Sequence, residues 1–228
     1  MNGKHVLLTG ASGGLGGEVT AQFLAGGATV VAPVIEGRDQ LADRFASAGD
    51  ALRVVEGDLT EEKTVAAIVD GMDRIDALVH LVGGFTMGPT HEIELDAWRR
   101  FHDLALTTTL LCCKHALRRM RSANYGRIVT IGSKNVAFPS GQVATYASAK
   151  AGVVALTQTI AAETAGTGVT ANVVLPSIID TPANRAAMGE HEVDRWVSPR
   201  SLGEVILFLA SEAAGDLRGA SVPVYGSV

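Results

Sequence analysis

The sequence predicts a single doubly wound α/β domain over residues 1–228, built on a mostly parallel, seven-stranded sheet with helices on both faces. Three observations carry that expectation. Short β-branched runs alternate with longer stretches of helical period from end to end. Most of the short runs are continuously apolar, as strands buried on both faces must be. A glycine-rich turn joins the first run to the first helical stretch. No Pro/Gly/Ser-rich linker, repeat or low-complexity tract breaks the pattern.

His5-Val6-Leu7-Leu8 reads as the first strand, and helical period follows over residues 15–25. Thr29-Val30-Val31-Ala32 is the second strand, followed by a helix over 40–48, and Leu52-Arg53-Val54-Val55 is the third. Thr60 with Glu61 and Glu62 reads as the start signal of a helix over 61–71. Ala77-Leu78-Val79-His80-Leu81 is the fourth strand, and residues 96–120 read as one long helix. The fifth strand, Arg127-Ile128-Val129-Thr130-Ile131, precedes a helix over 145–165, and residues 169–175 form the sixth. Residues 176–197 lack a regular period. A connection of that length leaving the carboxyl end of a strand reads as a lid over a ligand. Ser198 caps a helix over 199–209 with Pro199 at its first position, and residues 221–224 close the sheet as a seventh strand. Right-handed crossovers connect such strands.

Composition narrows the partners. With 47% hydrophobic and 19% charged residues the chain is no disordered segment. The formal charge is -5 and Lys and Arg are scattered, so there is no footprint for a nucleic acid. Apolar runs fall short of the ~18 residues of a membrane span, and residues 1–10 lack the marks of a signal peptide, so a cytoplasmic protein with no membrane partner is expected. The only cysteines, Cys112 and Cys113, are adjacent. Neighbouring cysteines do not easily meet disulfide geometry, so they read as core thiols of a reducing compartment.

Glycine is over-represented, at 26 residues against an average usage of about 7%. Five fall in Thr9-Gly10-Ala11-Ser12-Gly13-Gly14-Leu15-Gly16-Gly17, between strand and helix. There they permit a sharp turn, close approach of backbone N–H groups to a pyrophosphate, and tight packing of helix on strand. The spacing Thr9, Gly10, Gly14, Gly16 resembles the cofactor loop of the short-chain dehydrogenase/reductase family. It lacks the Gly-Lys-Ser/Thr ending of a P-loop. The resemblance implies a Rossmann fold and assigns Gly10, Ser12, Gly14, Leu15 and Gly16 to the cofactor.

Further stretches resemble the family. Asp58, with Leu59 in Gly57-Asp58-Leu59-Thr60, stands where the family's Asp meets the adenine; its other reading is a loop acid near a helix N-terminus. His80-Leu81-Val82-Gly83 stands in place of Asn-Asn-Ala-Gly, and only Gly83 matches; His80 itself reads as a core histidine. Pro176-Ser177-Ile178-Ile179-Asp180-Thr181 resembles Pro-Gly-x-x-x-Thr, with Ser177 for the Gly, which carries Pro176, Ile179 and Thr181 over to the nicotinamide.

Tyr146 and Lys150 are four apart and share a helix face, and Ser133 stands thirteen residues before Tyr146, just past a strand. A phenol with an ordinary pKa near ~10 is a poor acid–base group at neutral pH until a neighbouring ammonium stabilises its anion. A hydroxyl beside it can bond an oxygen on which charge develops. The set closely resembles the family's catalytic residues. The resemblance makes Tyr146 the general acid/base, Lys150 the group that lowers its pKa and binds the nicotinamide ribose, and Ser133 the substrate-orienting group.

The implied activity is hydride transfer between NAD(H) or NADP(H) and a small or medium carbonyl or alcohol, by a homo-dimer or homo-tetramer using the apolar faces of 110–120 and 153–165. Those faces read equally as intramolecular core. No cation is clearly placed for a 2′-phosphate: Glu36 and Arg38 follow the second strand late, and Gly13 stands where many NADP users carry a basic residue. That favours NAD(H). Two departures keep other readings open. Aligning from Trp98 through Asp103 puts Ala105 where the family has an Asn that supports a proton-relay water. The segment from Asp180 to Met188, followed by acids and Trp196, resembles dihydropteridine reductases, which typically lack the catalytic Ser. A dihydropteridine reductase-like enzyme and a non-catalytic dinucleotide sensor are the alternatives. Arg185 reads as a solvated charge or as a guide for an anionic substrate.

Overall fold

The computed structural model describes residues 1–228. Seven strands form one parallel sheet in the order β3-β2-β1-β4-β5-β6-β7. They are β1 (His5–Thr9), β2 (Thr29–Val34), β3 (Leu52–Glu56), β4 (Ala77–His80), β5 (Gly126–Ile131), β6 (Val169–Pro176) and β7 (Ser221–Val224). Every strand expected from the sequence is present. The order reverses between β1 and β4, where Val6 pairs Ala77 and Thr9 pairs His80. At such a switch point the loops leaving the two strands part and open a crevice at their carboxyl ends.

Alternating strand residues feed two cores. Val6, Leu8, Val30, Ala32 and Val79 face one layer, containing α1 (Gly16–Ala25), α2 (Arg38–Arg44) and, defined below, the last helix. Leu7, Val31, Leu78 and Ile128 face the other, with α3 (Glu62–Asp70). In that second layer α4 (Leu95–His102) runs through a π turn, Asp103–Thr107, into α5 (Thr108–Ala123). After β5 come the single turn α6 (Lys134–Ala137) and the long α7 (Ala144–Glu163). After β6 come α8 (Pro182–Met188) and α9 (Pro199–Leu209), whose Leu202, Ile206 and Leu209 complete the first layer.

Several boundaries differ from the sequence expectation, each for a local reason. The helix expected over 40–48 ends at Arg44 and passes into a 3-10 turn kinked at Gly49, where φ is +52°. Thr60 does not cap α3: its N–H and its hydroxyl both donate to Asp58 Oδ1, at 2.8 and 2.7 Å, and Glu61 takes the cap position. Ser198 does cap α9, accepting the Ser201 N–H at 3.0 Å. The helix expected over 96–120 is interrupted by the π turn, and the segment 176–197 contains α8. Leu111, Cys112, Cys113, Ala116, Met120, Val153, Ile160 and Ala161 are buried within the chain, so most of the apolar face assigned to association is intramolecular core; Leu110 alone among the large apolar residues there stays exposed.

No helix is long and apolar enough to cross a membrane.

Candidate active site

The glycine loop leaves β1 with Gly10 at φ +75°, a conformation that costs side-chain-bearing residues dearly and glycine little. A β-carbon on Gly10 would lie 2.9 Å from the Leu81 carbonyl carbon, so the loop sits directly on the exit of β4. Gly16 faces Ala11 and the Gly10 carbonyl so closely that a side chain would overlap backbone. Gly13 N–H donates to Gly10 O at 3.1 Å and Gly17 N–H to Gly13 O at 3.3 Å. The N–H groups of Ser12, Gly14, Leu15 and Gly16 have no acceptor within the chain. Unpaired amides at a helix N-terminus, on a loop without side-chain bulk, fit a pyrophosphate. The Leu15 side chain packs on the first core, leaving its amide for that role.

The other predicted cofactor positions lie along the same carboxyl edge. Asp58 is exposed, with Oδ1 occupied by Thr60. Leu59 is buried in the second core, so only its backbone can face a ligand. A β-carbon on Gly83 would stand 3.0 Å from Lys150 Nζ, which sets the β4 exit beside α7. Pro176 ends β6, and Ser177 meets the segment after β7, its hydroxyl donating to Tyr225 O at 2.7 Å. Ile179 forms a bridge with Val197, and its carbonyl accepts Asn184 Nδ2 at 2.8 Å. Thr181 caps α8 by accepting the Asn184 N–H at 3.2 Å, with Pro182 at the first helical position. Sequence reasoning missed that cap, and also Ser133 capping α6 through the Asn135 N–H at 3.1 Å. The pattern Thr-Pro at 181–182 was the available signal.

Ser133, Tyr146 and Lys150 come together at the ends of β5 and α7. Lys150 is buried and its Nζ donates to Ile131 O at 2.9 Å. Burial lowers its pKa to about 8. Burial also pushes the Tyr146 phenol above its ordinary value, and the nearby Ser133 hydroxyl opposes that in part. The Lys150 ammonium is directed at the Ile131 carbonyl, and burial is the larger influence on the phenol. Two phenyl rings flank Tyr146, Phe85 with centroids 5.1 Å apart and edge-on, and Phe101 at 6.1 Å. Phe85 is 60% exposed. Neither ring was expected from sequence, since both arrive from other segments. A cleft of about 260 Å³ is lined by Thr86, Met87, Ile93, Gln142 and Thr145 among others, Thr86 and Thr145 being the chain neighbours of Phe85 and Tyr146.

Arg185 is held by Asp180 through two bonds of 2.6 and 2.8 Å, with Glu190 at 3.4 Å. Its charge is met within the segment, which removes the reading of a free guide for anions. His80 is a core histidine, as expected, and its pKa is lowered to about 3 by burial and secondarily by the Lys150 charge. Ala105 lies buried in the π turn, its carbonyl accepting the Thr109 hydroxyl at 2.7 Å.

Residues 4–192 match the short chain dehydrogenase family. The chain is a short-chain dehydrogenase/reductase. As a member of that family it is an NAD(P)-dependent oxidoreductase transferring hydride to or from a small molecule. It is 37% identical to a cis-4-hydroxycyclohexanecarboxylate dehydrogenase of Sinomonas cyclohexanicum over 98% of this chain and 95% of that one. A D-threitol dehydrogenase of Mycolicibacterium smegmatis is 29% identical, over 99% of this chain and 93% of its own. Among solved structures, a short-chain type dehydrogenase/reductase from Mycobacterium ulcerans superposes with a TM-score of 0.92 at 28% identity, covering 100% of this chain and 90% of its own. ElxO with NADP bound reaches 0.91 at 26% identity, covering 99% and 98%. This dehydrogenase/reductase therefore uses NAD(H) or NADP(H), and none of these relatives bears the name of a pteridine reductase or a sensor.

Proposed function

We propose that Tyr146 is the general acid/base, that Ser133 orients the substrate oxygen and that Lys150 stabilises the phenolate and holds the nicotinamide ribose. The observation that carries this reading is the convergence of three groups at one strand end: Ser133 just past β5, the Tyr146 phenol, and a buried ammonium one helical turn further along α7. The bound nicotinamide supplies or accepts the hydride. The unpaired amides of Ser12, Gly14, Leu15 and Gly16 would hold its pyrophosphate, Asp58 and the Leu59 backbone its adenine, and Gly83, Pro176, Ile179 and Thr181 its nicotinamide end. In carbonyl reduction Tyr146 gives its proton to the substrate oxygen while Ser133 bonds the same oxygen; in alcohol oxidation the proton returns to Tyr146.

The substrate proposed is a secondary alcohol or ketone on a compact apolar frame, such as an alicyclic hydroxy acid. Phe85 and Phe101 border Tyr146 with ring faces and edges, which suits a saturated ring better than a polyol. The 37% relationship to a dehydrogenase of a hydroxycyclohexanecarboxylate agrees with that choice. Residues 176–197, held by the Arg185–Asp180 pair, are proposed as the lid. NAD(H) is the proposed preference, because the exposed residue after β2 is the apolar Ile35 and Gly13 carries no charge. A homo-oligomeric, cytoplasmic enzyme remains the expectation for the family.

Steady-state rates on hydroxycyclohexanecarboxylate, threitol, 3-hydroxybutyrate and a quinonoid pterin, with wild type and Tyr146→Phe, test the assignment. Loss of about 10²-fold or more in the variant is expected; an unchanged rate on an accepted substrate overturns the role of Tyr146. Titration with NADH and NADPH tests the preference. Tighter NADPH binding would transfer it to Arg44, whose guanidinium packs against Gly17 in the first turn of α1.

A further inference from the structure

His80 is 2% exposed at the end of β4, and both its ring nitrogens are engaged. Nδ1 lies 2.9 Å from the Thr9 hydroxyl and Nε2 lies 3.2 Å from the Thr108 hydroxyl. Hydrogen bookkeeping fixes their directions. Thr108 has one hydroxyl hydrogen, and at 2.6 Å it is donated to the Leu104 carbonyl, which can only accept. Thr108 Oγ1 must then accept from His80 Nε2–H. The neutral imidazole leaves Nδ1 as an acceptor, and Thr9 donates to it. One chain of bonds therefore runs from Thr9, the residue before Gly10, through His80 and Thr108 to Leu104 in the π turn.

The π turn lies against the catalytic helix. A β-carbon on Gly152, two residues past Lys150, would meet Leu106 Cδ2 at 2.8 Å, and one on Gly84 would meet Leu104 Cδ2 at 3.7 Å. A π turn also leaves backbone carbonyls outside the ordinary i to i−4 ladder, and here threonine hydroxyls take two of them, Thr108 on Leu104 and Thr109 on Ala105. Ala105 has no polar side chain with which to anchor this turn. A tie from another element can do so, and His80 is the polar side chain that reaches it.

We propose that His80 is a positioning residue: its neutral ring ties the cofactor loop at Thr9, through Thr108 at the head of α5, to Leu104 in the π turn, and thereby sets the distance between the bound nicotinamide and Tyr146 and Lys150. The inference rests on the proposed roles of those two residues. It assigns His80 no contact with substrate and no proton transfer. Its effect is on alignment, where displacements of an ångström far from the chemistry cost about 10²-fold in rate.

The test compares His80→Leu, Thr108→Val, the double variant and His80→Gln, which keeps an N–H able to reach Thr108. Each is normalised to folded protein by circular dichroism. Expected for His80→Leu is a fall in kcat of about 10- to 100-fold with the substrate KM within about threefold. The double variant should be no slower than the slower single one, because both cut the same link, and His80→Gln should recover most of the rate. Amide exchange over residues 103–108 should quicken in His80→Leu. Wild-type kcat in folded His80→Leu, or multiplicative losses in the double variant, would overturn the proposal. Should His80→Leu fail to fold, Thr108→Val and His80→Gln decide in its place. A fall in kcat in Thr108→Val beside a near-wild-type rate in His80→Gln upholds the tie, and wild-type kcat in Thr108→Val overturns it. Tyr146→Phe run alongside separates the two readings. If it is fully active the catalytic assignment falls, and the exchange data still decide the tie: quickened exchange upholds it and unchanged exchange refutes it.

Discussion

Thr181, at the head of α8, closes on Gly14 in the cofactor loop so tightly that a β-carbon at residue 14 would stand 2.9 Å from Thr181 Cβ and 3.0 Å from its Cγ2. The segment after β6 is thus seated on the glycine loop. Gly14→Ala should push the two apart and weaken NADH binding by about tenfold, roughly 1.4 kcal/mol, with the far-ultraviolet spectrum unchanged. Gly16→Ala meets backbone instead of a side chain and should destabilise the fold by about 1–3 kcal/mol. Fluorescence titration and thermal melting distinguish the two, and equal affinity in Gly14→Ala would refute the seating.

Lys150 should make stability depend on alkaline pH. Its folded pKa is about 8 against an ordinary 10.5, so between those values the unfolded chain binds more protons than the folded one. Stability from this group therefore rises with pH from about 8 to 10.5 and is weakest below 8, by up to roughly 3 kcal/mol. Urea unfolding of wild type and Lys150→Met should show a difference in favour of the variant below pH 8 that shrinks toward pH 10. A pH-independent difference would contradict the buried ammonium.

The Arg185–Asp180 pair spans the turn into α8 with two parallel bonds, the geometry that fixes orientation as well as charge. Arg185→Met should free the proposed lid. Amide exchange over residues 182–193 should accelerate, and KM for substrate should rise by about threefold or more with a smaller change in kcat. Unaltered exchange would show that α8 is held by the Thr181 cap and Ile179–Val197 bridge alone.

The two cysteines should be inert in the native protein. Both are buried on α5, and burial pushes the Cys112 thiol up to about 12 and that of Cys113 still higher, so neither forms thiolate at neutral pH. A chromogenic disulfide reagent should label neither thiol until guanidinium unfolds the chain. Native labelling on the time scale of minutes would place at least one near the surface.

The strands were legible because most are continuous apolar runs, as a sheet covered by helices on both faces requires. The site was legible where spacing carries it, as in Tyr146 and Lys150 on one helical face. The π turn was not, since Leu104, Ala105 and Leu106 keep an apolar character that suits α and π winding alike. Sequence spacing puts Lys150 on the same helix face as Tyr146 but cannot tell that the Ile131 carbonyl takes the ammonium or that burial acts on the phenol. Phe85 and Phe101 belong to contacts between distant segments, which no local pattern encodes. Thr60 misled for the opposite reason: a neighbouring carboxylate, Asp58, competed for the groups a cap would have used.

Pro223 lies in register with Leu175 on β7, the last strand of the sheet, and Arg53 and Glu56 lie on β3 at the other. A proline has no N–H to offer an incoming chain, and charged side chains resist flat stacking. Both margins of an otherwise very apolar sheet are thereby closed to templated growth. A strand arriving at either border would meet the missing donor of Pro223 or the charges of Arg53 and Glu56, which disfavours growth templated on the folded sheet.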